Sequence, residues 1–435
     1  MIELDLETLG YYEPGFLHLR INSEIDVINL NEIARNPSTQ REFSTFLHEY
    51  VHFLQSITTT YGLMDSIFFV DFIKDINWTI RNDGQPTFTV PVEISNKNNI
   101  EANLKLRELY KGESKSIDYI KYDGYTIEYP VIFDKNGQEL KPPKYFIHCY
   151  EKGGRAKKLH FGGLSLKEYI AHAIQKKYFS SVDHDDFPYK IIEQIVEKEF
   201  PDFGSDPMML VALCDSSLMS LHPAQMFFHT IERMKANGYI LGNPGDVYAF
   251  AFKGLTLSGE MGSGGIETQF SNLIKITDDQ FKNALQSPVF LPNYDWIKHI
   301  LEKAKEIRLT RADFMTALIQ SEGVLSPLFY SLFKDIGTPF FTNKNWKGGF
   351  VPPEGLKVHP NQPYQLLVFK EIIRIFSGHK SCGLFDFCKI RPENDITNNL
   401  CKSSPWKKAT EAELCPFGQL WKTWGLVGEE PIPRV

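Results

Sequence analysis

A chain of 435 residues that is 42% hydrophobic and 23% charged has a globular balance and ample length to bury a core. Its net charge of -7 gives no general attraction to anionic lipid or nucleic acid, so a nucleic-acid partner is not expected. No apolar run approaches the roughly 20 residues that cross a bilayer, and six cysteines do not resemble a secreted disulfide framework. The acidic, alternating start "MIELDLETLGYYEPG" argues against a secretory signal, and the expected location is the cytoplasm, with no membrane association.

Two alternating runs come first, "FLHLRI" (16–21) and "DVINL" (26–30), and predict strands. "NPSTQRE" then supplies a helix start, and the predicted helix runs from about Ser38 to Thr60, stopping near Gly62. A second apolar helix follows through "MDSIFFVDFIKDI". Between residues 85 and 163 the runs "TFTVPVEI", "GYTIEYPVIFD" and "KYFIHCY" are rich in β-branched and aromatic residues and read as a β-rich insertion. The helical pattern returns in "HFGGLSLKEYIAHAIQKKYF", where Gly162 and Gly163 end a strand and Ser165 with Glu168 fits a capping box. Helices then dominate to about Leu332. The glycine-rich "SGEMGSGGIETQ" (258–269) fits neither a phosphate-binding loop nor GxGxxG and is expected to be a mobile loop. A loop-rich stretch (342–363) separates the first 340 residues from an aromatic, cysteine-bearing region at 341–435.

The chemistry concentrates in "STFLHEYVHFLQ". His48 and His52 stand one helical turn apart, so both imidazoles leave the same face and can reach one ion. Glu49 sits about 100° round the helix, beside the metal rather than on it, where it can polarise a water and carry its proton. Two histidines and a glutamate are costly to bury on so apolar a helix unless they find partners, and a metal is such a partner. The bland alternative is a core helix with hydrogen-bonded histidines.

This HExxH run with its uncharged flanks resembles the zincin metallopeptidases, and within them the gluzincin type, over residues 45–54. The metzincin pattern is disfavoured, because it needs Gly where Gln55 stands and His or Asp at Thr58. The gluzincin resemblance implies zinc as cofactor and a glutamate on a later helix as third ligand. Glu168, followed by the small Ala171, is the best match, although it lies 116 residues beyond His52. Where many gluzincins carry an aspartate four residues after that glutamate, this chain has His172, read either as an oxyanion stabiliser or as a surface histidine. Asp65, Glu260 and Glu267 are rival ligands, and Asp215 is a candidate buried carboxylate supporting the site.

Cys382, Cys388, Cys401 and Cys415 follow the pattern Cys-x5-Cys-x12-Cys-x13-Cys, which lacks a tight Cys-x2-Cys knuckle. They read either as ligands of a second, structural metal, with His379 as a substitute, or as core cysteines. The expected fold is α+β and zincin-like, mainly helical, with an N-terminal sheet, a β-rich insertion between two ligand helices and a small C-terminal region. The expected function is a zinc metallopeptidase that hydrolyses peptide bonds of a peptide or protein substrate through a metal-activated water. The alternative is an inactive zincin scaffold acting as a protein-interaction module.

Overall fold

The segment 43–54 carries apolar residues at every turn, so it has to be covered on all sides. In the computed structural model it lies in helix α1 (Gln40–Thr58), where Leu47, Tyr50, Val51, Phe53 and Leu54 are wholly buried. The structure describes residues 10–13, 15, 17–23, 40–82, 85–92, 97–134, 136–239, 242–253, 257–259, 262–288, 290–320, 327–345, 347–357, 363–389 and 396–434. The predicted strand at 26–30 and the predicted helix start at Ser38 lie outside these residues.

Strands β1 (Gly10–Glu13) and β2 (His18–Ile21) precede α1, and helix α2 (Thr60–Asn82), strand β3 (Thr87–Val90) and helix α3 (Lys97–Lys111) follow it. Strands β4 (Ile120–Glu128), β5 (Ile132–Phe133), β6 (Glu139–Leu140), β7 (Lys144–Glu151) and β8 (Ala156–Phe161) lead to helix α4 (Gly163–Tyr178). Helices α5 (Ile191–Glu199), α6 (Pro207–Leu218), α7 (Pro223–Ala236) and α8 (Pro244–Phe252) come next, then a hairpin of β9 (Leu257–Gly259) and β10 (Gly262–Gly264). Helices α9 (Ile266–Ala284), α10 (Leu291–Thr310), α11 (Phe314–Gln320) and α12 (Pro327–Asp335) precede strands β11 (Phe340–Thr342) and β12 (Gly348–Gly349). The chain closes with helices α13 (Leu367–Phe376), α14 (Phe385–Lys389), α15 (Leu400–Ser403) and α16 (Pro416–Thr423) and strand β13 (Glu430–Pro433). This is an α+β protein with small sheets, and among the described residues no helix is long and apolar enough to cross a membrane.

The N-terminal sheet has the order β1-β2-β11-β12, so half of its strands come from after residue 339. β1 runs antiparallel to β2, and β11 lies parallel on its other side. One buried cluster extends from Leu17 to Leu426, and β13 pairs in parallel with β3, tying the end of the described chain to its first third.

The end of α1 differs from expectation. Its last turn carries hydroxyls that bond back to carbonyls four residues earlier: Ser56 to His52 at 2.8 Å, Thr58 to Leu54 at 2.6 Å and Thr59 to Gln55 at 2.7 Å. Such back-bonding competes with the helix ladder. The helix stops at Thr58, and Gly62 falls inside α2. There glycine is needed for close approach, because a Cβ on it would lie 2.4 Å from the Ser56 Cα. Two other expectations are corrected. The β-rich stretch contains α3, whose sequence "KNNIEANLKLRELYK" holds the Leu, Glu, Lys and Arg of a helix former. The glycine-rich run splits into the β9–β10 hairpin and the start of α9.

Strands β4, β7 and β8 form one antiparallel sheet whose ends meet, and Tyr125 and Tyr145 stack it on Phe228 of α7 within the main core. At the junction Gly112 has φ +84, and a Cβ on Gly162 would sit 2.5 Å from the Gly112 nitrogen and 2.6 Å from the Lys111 oxygen. Glu113 N–H donates to the His160 carbonyl at 2.9 Å, closing the neck.

Asp215 and Arg308 are a fully buried pair joining α6 to α10, with oxygen–nitrogen distances of 2.7 and 3.0 Å. Arg308 Nε also donates to the Thr58 carbonyl at 2.8 Å, an acceptor that the end of α1 leaves unsatisfied. Tyr248 O–H completes the carboxylate's shell at 2.7 Å. Asp215 therefore secures the end of α1 and does not support the histidines directly. Arg308→Met is expected to lower unfolding stability in urea by about 3–5 kcal/mol, because it strands a buried carboxylate. A loss under about 1 kcal/mol would refute that role.

Candidate metal centre

α1 and α4 run antiparallel, tied together by two glutamines. Gln55 Nε2 on α1 donates to the Lys167 carbonyl on α4 at 3.0 Å. Gln175 Nε2 on α4 donates back to the Ser44 carbonyl at 3.1 Å and to the Ser44 hydroxyl at 2.8 Å. A main-chain carbonyl only accepts, so the orientation of both side-chain amides is set. Their oxygens meet the histidines: Gln175 Oε1 lies 3.1 Å from His48 Nδ1, and Gln55 Oε1 lies 2.9 Å from His52 Nδ1. Each Nδ1 must then carry a hydrogen, and each neutral ring presents a bare lone pair at Nε2.

Those two lone pairs face each other, with the Nε2 atoms 3.2 Å apart. Glu168 Oε2 completes a triangle at 3.1 Å from His48 Nε2 and 3.3 Å from His52 Nε2. Burial tends to raise the Glu168 carboxyl, but charge and hydrogen bonding from His52 and His48, which a shared proton or a cation at their Nε2 atoms supplies, hold it well below the usual range, so it is ionised. A proton on one histidine satisfies one edge of the triangle, whereas a dication satisfies all three. Donors around a tetrahedral zinc at about 2.0–2.2 Å stand about 3.3–3.6 Å apart, so the triangle and its chemistry fit that ion. Among the described residues, His48, His52 and Glu168 are the group of three such side chains whose donor atoms lie within 4.8 Å of one another.

The capping alternative for Glu168 does not hold. α4 begins one turn earlier than a Ser165 cap requires, with Gly162 as N-cap and no side-chain cap. Glu168 consequently lies in the second turn, free to point at α1, and Ala171 is fully buried in the same helix.

Glu49 is 7% exposed, and burial pushes its carboxyl up to about 7, with Glu168 adding to the rise and His48, Lys167 and a main-chain hydrogen bond from Tyr12 opposing it. A carboxylate so placed exchanges protons near neutrality. Its neighbour is the edge strand β1, where a Cβ on Gly10 would come within 3.3 Å of Glu49 Cγ.

His172 is buried, which corrects its reading as a surface histidine. Its Nδ1 lies 3.1 Å from His184 Nδ1, and its ring is 5.0 Å from that of His184. The His184 ring in turn stands 5.5 Å from His48 and 4.4 Å from Tyr189, and Tyr189 is 6.0 Å from His48. Burial lowers His172 to about 3 and His184 to about 4, so both are neutral near neutral pH. The charge of Glu168, with burial, raises Tyr189 and keeps its O–H as a donor. His184 and Tyr189 escaped the sequence reading because "SVDHDDFPYK" has no periodicity. The available signal was a histidine and a tyrosine in the short connection directly after the third-ligand helix.

Asp65 and Glu267 are not part of this group. Asp65 pairs with Arg107 on α3 at 2.5 Å, Glu267 is exposed on α9, and Glu260 lies outside the described residues. Cys382, Cys388, Cys401 and Cys415 line one cavity between α13 and α16, far along the chain from the histidines. No protein-family model, curated protein or solved structure matches the chain.

The arrangement thus offers three converging ligand atoms, a buried carboxylate beside them, and the His184 and Tyr189 rings against His48. Ala at His48, His52 or Glu168 is expected to abolish stoichiometric zinc binding. Gln55→Leu and Gln175→Leu should weaken it about 10–100-fold by freeing the imidazole tautomer, as measured by chelator competition. Unchanged affinity in both glutamine variants would show that the amides do not set the lone pairs.

Proposed function

We propose that this chain is a zinc-dependent peptidase of the zincin, gluzincin-like type, with His48, His52 and Glu168 as the ligands. The observation that carries the reading is the triangle of Nε2, Nε2 and Oε2 acceptors at 3.1–3.3 Å, formed by an HExxH helix and a later glutamate helix. Zinc bound there supplies a Lewis acid that lowers the pKa of a water and polarises a carbonyl. Glu49 takes the proton from the attacking water and passes it to the departing amine, a transfer suited to a buried carboxylate beside the ligands. Tyr189 O–H and the neutral His184 donate toward the oxygen that gains charge at the attacked carbonyl. His172 acts through His184, to which it is hydrogen bonded. β1 is the edge strand beside Glu49, and an extended peptide laid along it brings its backbone to the site.

One observation favours the second reading, an inactive scaffold that holds zinc and binds a partner. His48, Glu49 and His52 are each only 7% exposed, and Glu49 already accepts a hydrogen bond from the Tyr12 main chain. Hydrolysis of a peptide library by the zinc-loaded chain separates the two readings.

On the peptidase reading, Glu49→Gln keeps its zinc and loses turnover by about 10²–10⁴-fold. Full activity in that variant sinks the mechanism, and zinc binding without hydrolysis in the unmodified chain selects the scaffold. Tyr189→Phe should lower kcat about 10²-fold with little change in KM, the pattern of a donor that acts on the transition state.

A further inference from the structure

The C-terminal region is made of short pieces. α14 has 5 residues, α15 has 4 and α16 has 8, and loops join them. Elements this short bury little apolar surface each, and α16 joins the main core through Leu420 and Trp421. Each carries a cysteine, or stands next to one, at the same spot. Cys382 precedes α14, Cys388 lies on α14, Cys401 lies on α15, and Cys415 caps the N-terminus of α16. All four line one pocket, whose other walls include Val368, Leu384, Phe385 and Phe417. None of the four is in a disulfide.

The sulfurs surround this space without closing on a point. A single zinc with Zn–S near 2.3 Å needs its four sulfurs about 3.8 Å from one another. Among the described residues only the histidine–glutamate triangle brings three candidate ligand atoms within 4.8 Å, so no three of these sulfurs do. In an iron–sulfur cluster the thiolates bind different iron atoms around a shared core and stand further apart. Main-chain N–H groups also point at the sulfurs. Gly418 N–H donates to Cys415 Sγ at 3.4 Å, Phe417 N–H donates to the same cysteine, and Leu384 N–H to Cys382. Hydrogen bonds of this kind stabilise metal-bound thiolates. Cys382 N–H bonds to the Cys401 carbonyl at 2.8 Å, holding two of the segments in register.

We propose that Cys382, Cys388, Cys401 and Cys415 bind a polynuclear iron–sulfur cluster that staples the C-terminal region together. Assembly needs ferrous and ferric iron and inorganic sulfide, so that the oxidised core forms without a separate oxidant, and each cysteine thiol gives up its proton as its Fe–S bond forms. The site is independent of the His48 centre.

The test uses the full chain, isolated without oxygen and reconstituted with a mixture of ferrous and ferric iron and sulfide. At least two irons and two acid-labile sulfides per chain are expected, with a broad visible absorption that bleaches on reduction. Cys388→Ser and Cys401→Ser should lose iron and colour while keeping the zinc of the His48 centre. His48→Ala should do the reverse, so failure at one site is distinguishable from failure at the other. The unmodified chain decides the matter even if the cysteine variants do not fold. Colourless protein without iron after reconstitution, or a second zinc per chain that the Cys388→Ser variant loses, overturns the proposal.

Discussion

Three electron-rich atoms held face to face inside a protein are unstable company, and much of this fold is organised around keeping them there. Two bare imidazole nitrogens and a carboxylate oxygen would move apart if they were free to do so. They cannot, because each imidazole is held from behind by an amide whose own direction is set by a carbonyl on the opposite helix. The polar chain runs from the Ser44 and Lys167 carbonyls through the glutamines to the histidines, with every donor matched to an acceptor until Nε2 is reached. The unsatisfied end of that chain is where chemistry can enter.

The rest of α1 makes this tolerable. Its flanks are buried against α2, α4, α10 and the first two strands, so the histidines have little freedom to swing out to water. The end of the helix is frayed by its own hydroxyls and then secured from outside by Arg308, itself neutralised by Asp215. Two buried polar networks thus share one helix. The one at the middle is incomplete, and the one at the end is closed.

His48, Glu49 and His52 were readable in the sequence because helical spacing is local: four residues are one turn wherever the helix sits. Glu168 was partly readable, through its resemblance to a ligand helix, but the choice between ligand and cap depended on where α4 begins. That start is decided by the contact of Gly162 with the end of α3, which no local pattern encodes. Gln55 and Gln175 were not singled out, since a glutamine in a helix is unremarkable until its partners across the interface are known. His184 and Tyr189 lie on irregular backbone and reach the site only through tertiary packing. Asp215 was rightly read as a buried carboxylate but attached to the wrong partner, because burial of a charge is visible in an apolar run and its counter-ion is not. The α+β class followed from alternating and helical periodicities; α3 was missed inside a stretch dominated by strands.

The neck at Gly112 and Gly162 has a consequence for how this protein can change over time. The chain enters and leaves the sheet of β4, β7 and β8 at almost the same point, so the stretch is a detour whose two ends are already joined. Lengthening or shortening such a detour alters loop-closure entropy only slowly and leaves the separation of its ends untouched. The distance between His52 and Glu168 along the chain is therefore not a quantity that selection has to guard. Lineages could resize or decorate its exposed turns while the packed strands and the two ligand helices kept their registration.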